Sequence, residues 1–465
     1  MTDAPARSPP KLPRAVKVGY GTAELGVLAV ETMARLQVLK FYTDVLGLRP
    51  AMAGAAAAIA IFWDAFADVM IGLWSDRTRS RWGRRRPFVL FGGFALAAAT
   101  VLLFHPPHAS SELVKTAFLL GSFVVLNTAI SLLSVPHTAL ASELVFARDE
   151  RTELFGYRLF LGNLGLLVGA MLPAFALSYA ERGAITRQAA YGFASWGVAA
   201  IVLLTATTTF FATRGRDRSP PDVGAMSPRL LFRSFGEVLR DTTYAPLLVA
   251  FVVAQIGLAI NGTFALYYYE YRLRLGAGDV ARVLGVFVTA WSLSIPAWVL
   301  ASRRFGKRWL AFGGITLLGI LTAVIYLFAP PGRLEMPFLI ALFGGALAGS
   351  IVLLEAIVAD VIDVDEMRTR RKREGLYFGV WKMAAKMSRG LAVAASGALL
   401  GLIGFRPNEQ QTPEVASRLA WIFGPGVGGF LILGALIFLC MPLTDEAHRR
   451  VQRVLEKRRA RASTR

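Results

Sequence analysis

The feature that most constrains this chain is a succession of long apolar stretches, each sized for a bilayer. A hydrocarbon layer about 30 Å thick takes about 20 residues of helix to cross. Such stretches run over residues 17–43, 51–75, 87–105, 114–142, 157–180 and 189–213. After a polar segment with Pro220, Pro221 and Pro228 they resume at 244–270, 280–301, 308–330, 336–360, 375–403 and 417–443. Of 465 residues, 55% are hydrophobic and 18% charged, and mean hydropathy is +0.51, which excludes water as the main solvent. The expected fold is an all-α membrane protein with twelve transmembrane helices in two six-helix lobes. Residues 1–213 would form an N-terminal bundle, 214–243 a cytoplasmic central loop, 244–443 a C-terminal bundle and 444–465 a basic tail.

The net charge of +20 then acquires a location. Basic residues gather at the start (Arg7, Lys11, Arg14, Lys17), after the second stretch (Arg77 to Arg86), after the eighth (Arg303, Arg304, Lys307, Arg308), after the tenth (Arg368 to Arg373) and in the tail. Every second loop holds them, which puts both termini on the cytoplasmic side of an inner membrane. Charge spread this way fits lipid headgroups, and a tail without aromatics offers no platform for nucleic acid bases. The polar start has no short apolar core of a cleaved signal. The single cysteine, Cys440, allows no disulfide framework. His105, His108, His137 and His448 are scattered, and no phosphate-cradling glycine loop precedes a Lys and Ser/Thr. Neither an enzyme nor a nucleotide-driven pump is expected, and no resident metal or other cofactor, only a transported H+ or Na+.

Charges inside the stretches carry the functional signal, because each costs roughly 2.5–3.5 kcal/mol at mid-bilayer on insertion scales. Asp64 and Asp68, four residues apart, share one helix face. Two such carboxylates repel in a low dielectric, so the pair either takes up a proton easily or attracts a cation. Alternatively they lock helices together through a base, for which Lys386 and Arg158 are the candidates. Glu24, Glu31 and Arg35 form a second polar line, in which Glu31 and Arg35 are spaced to neutralise one another. Gln255 can bond a hydroxylated ligand or a neighbouring helix, and Trp381 can stack on a sugar or pack. A faint repeat pairs Phe41-Tyr42-Thr43-Asp44 with Tyr268-Tyr269-Glu270-Tyr271, and Trp82-Gly83-Arg84-Arg85 with Phe305-Gly306-Lys307-Arg308. Parallel copies of this kind place a substrate site between lobes near mid-membrane.

The segments Phe41 to Leu48, Trp63-Asp64-Ala65 with Asp68 and Gly72, and Asp76 to Pro87 closely resemble the glycoside–pentoside–hexuronide:cation symporters, melibiose-permease-like members of the major facilitator superfamily. Glu143 to Arg158, Ala359 to Asp363 and Arg373 to Tyr377 extend the resemblance over eleven stretches. It implies cation-coupled symport, a cation site at Asp64 and Asp68, and Lys386 close by. The departures matter as much. Acids that hold sugar in relatives of melibiose permease are replaced here by Leu28 and Ser134, which argues against a melibiose-like galactoside. Ala67 replaces a polar residue before the second acid, which weakens a sodium site more than a proton site.

These readings converge on a monomeric secondary transporter for a small-molecule substrate, a sugar or related glycoside or uronate, coupled to H+ ahead of Na+. Asp64 and Asp68 would bind the cation, and Lys386, Arg158, Glu31, Ser134, Gln255 and Trp381 would serve substrate or coupling. Asp76, Arg77, Arg84, Glu143 and Asp360 would gate the cytoplasmic face through charge pairs that break on opening. A carrier of lipid-like solutes on the same fold, or a membrane sensor without transport, are the other classes.

Overall fold

The computed structural model describes residues 12–107, 111–145, 148–215, 236–370 and 373–463, and all regular structure among them is helical. Most of the expected central loop, with Arg7, Lys11, His108, Arg371 and Lys372, lies outside the described residues. The first six helices are α1 (Arg14–Lys40), α2 (Pro50–Arg77), α3 (Arg86–Leu103), α4 (Glu112–Leu144), α5 (Arg148–Glu181) and α6 (Arg187–Ala212). Then come α7 (Tyr244–Tyr267), α8 (Ala277–Phe305), α9 (Lys307–Phe328), α10 (Glu335–Ala348), α11 (Val352–Thr369) and α12 (Glu374–Leu402). The last are α13 (Pro413–Trp421), α14 (Val427–Phe438) and α15 (Asp445–Ser463). A short 3₁₀ turn, Gly349–Ile351, joins α10 to α11, and a π-helical turn, Ile422–Gly426, joins α13 to α14.

Among the described residues, ten helices or joined helices are long and apolar enough to cross a membrane. Two others are as long, α1 with 27 residues and α12 with 29. Their composition disqualifies them: α1 carries Lys17, Glu24, Glu31, Arg35 and Lys40, and α12 carries Lys382, Lys386 and Arg389. Polar atoms at that density survive in hydrocarbon only when they face one another or water. Both helices therefore belong to the interior of the molecule.

Packing repeats along the chain. In residues 14–212, α1 lies against α5 and α6, α3 against α4 and α6, and α2 against α4; in 244–438, α7 lies against α12 and α14, α9 against α10 and α14, and α8 against α10. The two stretches of chain meet through α2 on α12 and α5 on α8. Alanines at 53, 56, 57 and 60 line the buried face of α2 and let a neighbour come close. Nearest approach is at Gly54 and Gly397, where a Cβ on Gly54 would lie 2.9 Å from the Gly397 Cα and from the Val393 carbonyl oxygen. Both α1 and α7 end in a π-helical turn, Phe41–Val45 and Tyr268–Arg272. Gly83 and Gly306 both adopt left-handed backbone, at φ 96° and 84°, in the turns that lead into α3 and α9.

Candidate functional site

Helix spacing puts Asp64 and Asp68 on the face of α2 that looks toward α4 and α12, midway along all three. Asp64 is 1% exposed. The Lys386 ammonium reaches in from α12, 2.7 Å from Asp64 Oδ2 and 2.5 Å from Asp68 Oδ2. From α4, the Ser131 hydroxyl lies 2.8 Å from Asp64 Oδ1 and 2.6 Å from Asp68 Oδ1. Arg389, one turn after Lys386, brings Nη2 to 3.6 Å from Asp64 Oδ2. Two carboxylates are thus held between one ammonium and one hydroxyl, with a guanidinium at the edge.

Beside this cluster is a small cavity lined by residues of α1, α2, α4, α7 and α12. Its polar wall is Glu31, Arg35, Asn127, Thr263 and Arg389; the rest is apolar. Glu31 and Arg35 both line this cavity, where the Glu31 charge acts on the guanidinium without the close pair their spacing suggested. Among the described residues neither makes an ion pair within 4 Å, and the Arg35 side chain lies beside Gly262 of α7.

Several expected site residues have other surroundings. Arg158 does not approach the aspartate pair: from α5 its Nε and Nη2 donate to Glu24 Oε2 and Oε1 at 2.8 and 2.9 Å, a fork that ties α5 to α1. His137 lies 3.5 Å from the same Glu24 and stacks on Tyr20. Ser134 is one turn from the bonded hydroxyl and makes no hydrogen bond among the described residues; Ser131 takes the position facing the acids. Trp381 is 3% exposed, its ring covered by Phe251 at 3.6 Å between centroids, so it packs α12 on α7 and presents no face to a ligand. Gln255 is half-buried one turn beyond Phe251, without a hydrogen bond among the described residues.

The expected gate is also rearranged. Arg84 and Arg85 both bond Glu143 Oε1, at 2.6 Å each, and Arg85 Nη2 reaches Asp76 Oδ1 at 2.7 Å. Arg77, at the end of α2, is exposed and makes no ion pair among the described residues. Asp360 takes the Lys307 ammonium at 2.6 Å. Arg373, in the turn before α12, bonds Asp365, and that carboxylate outweighs burial to raise the guanidinium pKa above its ordinary value. All these pairs join neighbours within 76–143 or within 237–373. They staple each packing unit and do not bridge between them.

Besides the mid-helix contacts of Lys386 and Arg389, bridges between the two stretches of chain gather at the end opposite these staples, which sequence reasoning missed. Lys40, at the end of α1, is buried with Asp44 Oδ2 at 2.6 Å and Glu270 Oε2 at 2.7 Å, beneath the rings of Tyr267 and Tyr271. Tyr271 donates to Asp44 Oδ2 at 2.7 Å, and Thr43 Oγ1 is 2.8 Å from the Tyr267 hydroxyl. Arg187 adds a contact to Glu270 at 3.4 Å, and Asn408 donates to the Asp44 carbonyl. Two signals were present: Lys40 and Asp44 stand four apart, and the repeat singled out both four-residue segments. Arg389 was legible too, by the same intramembrane-charge test that found Lys386. Nothing distinguishes Ser131 from the other hydroxyls of α4 in sequence.

The family profile described as MFS/sugar transport protein matches residues 19–445. Uncharacterized symporter YnaJ of Bacillus subtilis is 27% identical over 458 residues, covering 96% of each chain. The glucuronide carrier protein homolog of Escherichia coli is 25% identical over 446 residues, covering 95% of each. A chain solved in work on substrate recognition in proton dependent oligopeptide transporters superposes with a TM-score of 0.69 at 13% identity, over 94% of this chain and 99% of that one. At that identity the likeness concerns the fold.

Proposed function

The chain belongs to the MFS/sugar transport protein family of multi-pass membrane transporters, and from that premise we propose that it is a proton-coupled symporter of a sugar or related glycoside or uronate. The observation that carries proton coupling is a shortage of hydrogens around Ser131. Four short contacts hold the two carboxylates, two from Lys386 and two from Ser131. The ammonium has donors for its own two, but a hydroxyl carries one hydrogen and can donate to one oxygen only. One further proton, on either Asp64 or Asp68, completes the set: the protonated acid donates to Ser131, and Ser131 donates to the other. A sodium ion, by contrast, would need the Lys386 position for itself to collect several oxygens.

In the proposed cycle the proton relieves repulsion between the two acids while Lys386 stays close, which favours α2 and α12 coming together. Loss of that proton leaves the pair one hydrogen short and resists closure, so carriers shuttle loaded. The repeated packing pattern and the paired glycine turns support two lobes, 1–213 and 244–443, joined by 214–243, with twelve spans once α1 and α12 are counted as charged interior helices. Basic loops support cytoplasmic termini. On that orientation the Lys40 cluster is an outer latch, closed here, and the staples at Glu143 and Asp360 stay intact while the lobes rock. Uptake into liposomes under an imposed proton gradient, compared with an imposed sodium gradient, tests the choice. Accumulation driven by protons alone is expected, and accumulation that requires sodium would reject it.

A further inference from the structure

We infer that His137 and Glu24 form a second proton site, apart from the aspartate pair, where a proton binds between His137 Nδ1 and Glu24 Oε2 and answers to the pH of the cytoplasmic side. The His137 ring is fully buried on α4, and Tyr20 of α1 fixes its orientation. The two rings stack with centroids 4.5 Å apart, and the Tyr20 hydroxyl donates to the His137 carbonyl at 3.1 Å. Nε2 lies 2.8 Å from the Tyr20 carbonyl oxygen, which can only accept, so Nε2 carries a hydrogen. Nδ1 has no hydrogen-bond partner among the described residues, yet Glu24 Oε2 stands 3.5 Å away. In the neutral ring that nitrogen aims a lone pair at a carboxylate, and a buried polar atom left in this way costs free energy. One proton on Nδ1 makes both ring nitrogens donors, each with its own acceptor.

The surrounding charges leave room for that proton. Arg158 of α5 already donates to both oxygens of Glu24, at 2.8 and 2.9 Å, but a carboxylate accepts about four hydrogen bonds. The other charged groups on helices packed against α4 are engaged elsewhere. Lys17, one turn before Tyr20, is held by Glu150 and Glu153 of α5. Arg86, the one charged residue in the sequence of α3, donates to the Phe210 carbonyl. On α2, Asp64 and Asp68 meet Ser131 and Lys386, while Asp76 meets Arg85, which with Arg84 also bonds Glu143 further along α4. Glu24, His137 and Arg158 lie toward the ends of α1, α4 and α5 marked by Arg14, Leu144 and Arg148, the cytoplasmic side in the proposed orientation. The Glu24 and Arg158 side chains keep 13% and 15% exposure, which gives water a way to the carboxylate while the ring stays sealed. A proton taken from that water ties α4 to α1, as the Arg158 fork ties α5 to α1. The three helices are then joined at low cytoplasmic pH, and the tie to α4 is released at high pH.

Nitrogen NMR of the full-length, detergent-solubilised protein tests this directly and needs no solute. With His105, His108 and His448 replaced by Gln and the chain grown on isotope-labelled histidine, every imidazole signal belongs to His137. Between about pH 5 and 9 the ring should pass from two protonated nitrogens to one, Nε2 keeping its hydrogen throughout. Glu24→Gln removes the facing charge and should move the midpoint lower by about one pH unit or more, whereas Glu24→Asp, which keeps the charge, should move it less. The titration with Glu24 intact is decisive by itself if either variant fails to fold. Asp64→Asn with Asp68→Asn should leave the midpoint in place, so loss of the aspartate proton and loss of this one are read apart. A ring that holds one protonation state over the whole range, a neutral ring with its hydrogen on Nδ1, or a midpoint that Glu24→Gln leaves unmoved would overturn the inference, as would one that the aspartate variants shift as far as Glu24→Gln does.

Discussion

Ser131 and Arg85 show what single side chains contribute. Removing the Ser131 hydroxyl leaves both aspartates without the group that contacts each of them and that, in the proposed cycle, shares a proton between them. Ser131→Ala should reduce proton-driven accumulation severalfold while exchange of solute across the membrane persists; equal loss of both would make the hydroxyl merely structural. Arg85 holds two carboxylates, one of them the fully buried Glu143. Arg85→Gln should lower stability by about 1–3 kcal/mol, whereas Arg77→Gln should stay within about 0.5 kcal/mol. Paired melting curves in one detergent decide this, and equal effects would contradict the assignment. Sequence alone located Asp64, Asp68 and Lys386, because charge inside an apolar run is conspicuous. Which of six neighbouring arginines meets Glu143, or which serine of α4 faces the acids, depends on rotations of less than one turn that periodicity does not resolve.

Among elements, α2 and α12 matter most, since their approach carries Lys386 to the aspartates. Contact depends on two glycines whose backbones leave no room for a side chain. Gly54→Val should hold the helices apart, costing about 1–3 kcal/mol of stability and most of the transport rate, with protein still delivered to the membrane. Normal transport would mean that the close approach is incidental. Helix positions were well read from apolar runs: the stretch 51–75 is α2 at Pro50–Arg77, and 189–213 is α6 at Arg187–Ala212. The 3₁₀ and π-helical turns were not legible, because they shift hydrogen bonds by one residue without altering the apolar pattern.

For the whole molecule, the arrangement of charge defines which end is closed. Lys40 is buried between acids contributed by both stretches of chain, so neutralising those acids leaves a costly lone ammonium. Asp44→Asn with Glu270→Gln should therefore open this end, the outer one in the proposed orientation. With Cys440→Ser and Thr263→Cys, labelling of the cavity from outside right-side-out vesicles should speed up at least roughly 10-fold; an unchanged rate would remove the latch from the cycle. Sequence expected gating pairs at Glu143 and Asp360, because positive loops are plentiful there; the pairs found join neighbouring helices, and a charge-rich loop says nothing about whether its partner lies across the cavity or beside it. The central claim is that Asp64 and Asp68 hold the proton that drives transport. Adding the glycosides and sugar acids one by one to liposomes in weak buffer, while recording external pH, measures it directly. Wild-type protein should draw in protons with at least one solute, and Asp64→Asn and Asp68→Asn should not while still exchanging that solute. Solute-driven proton entry undiminished in both variants would contradict the account.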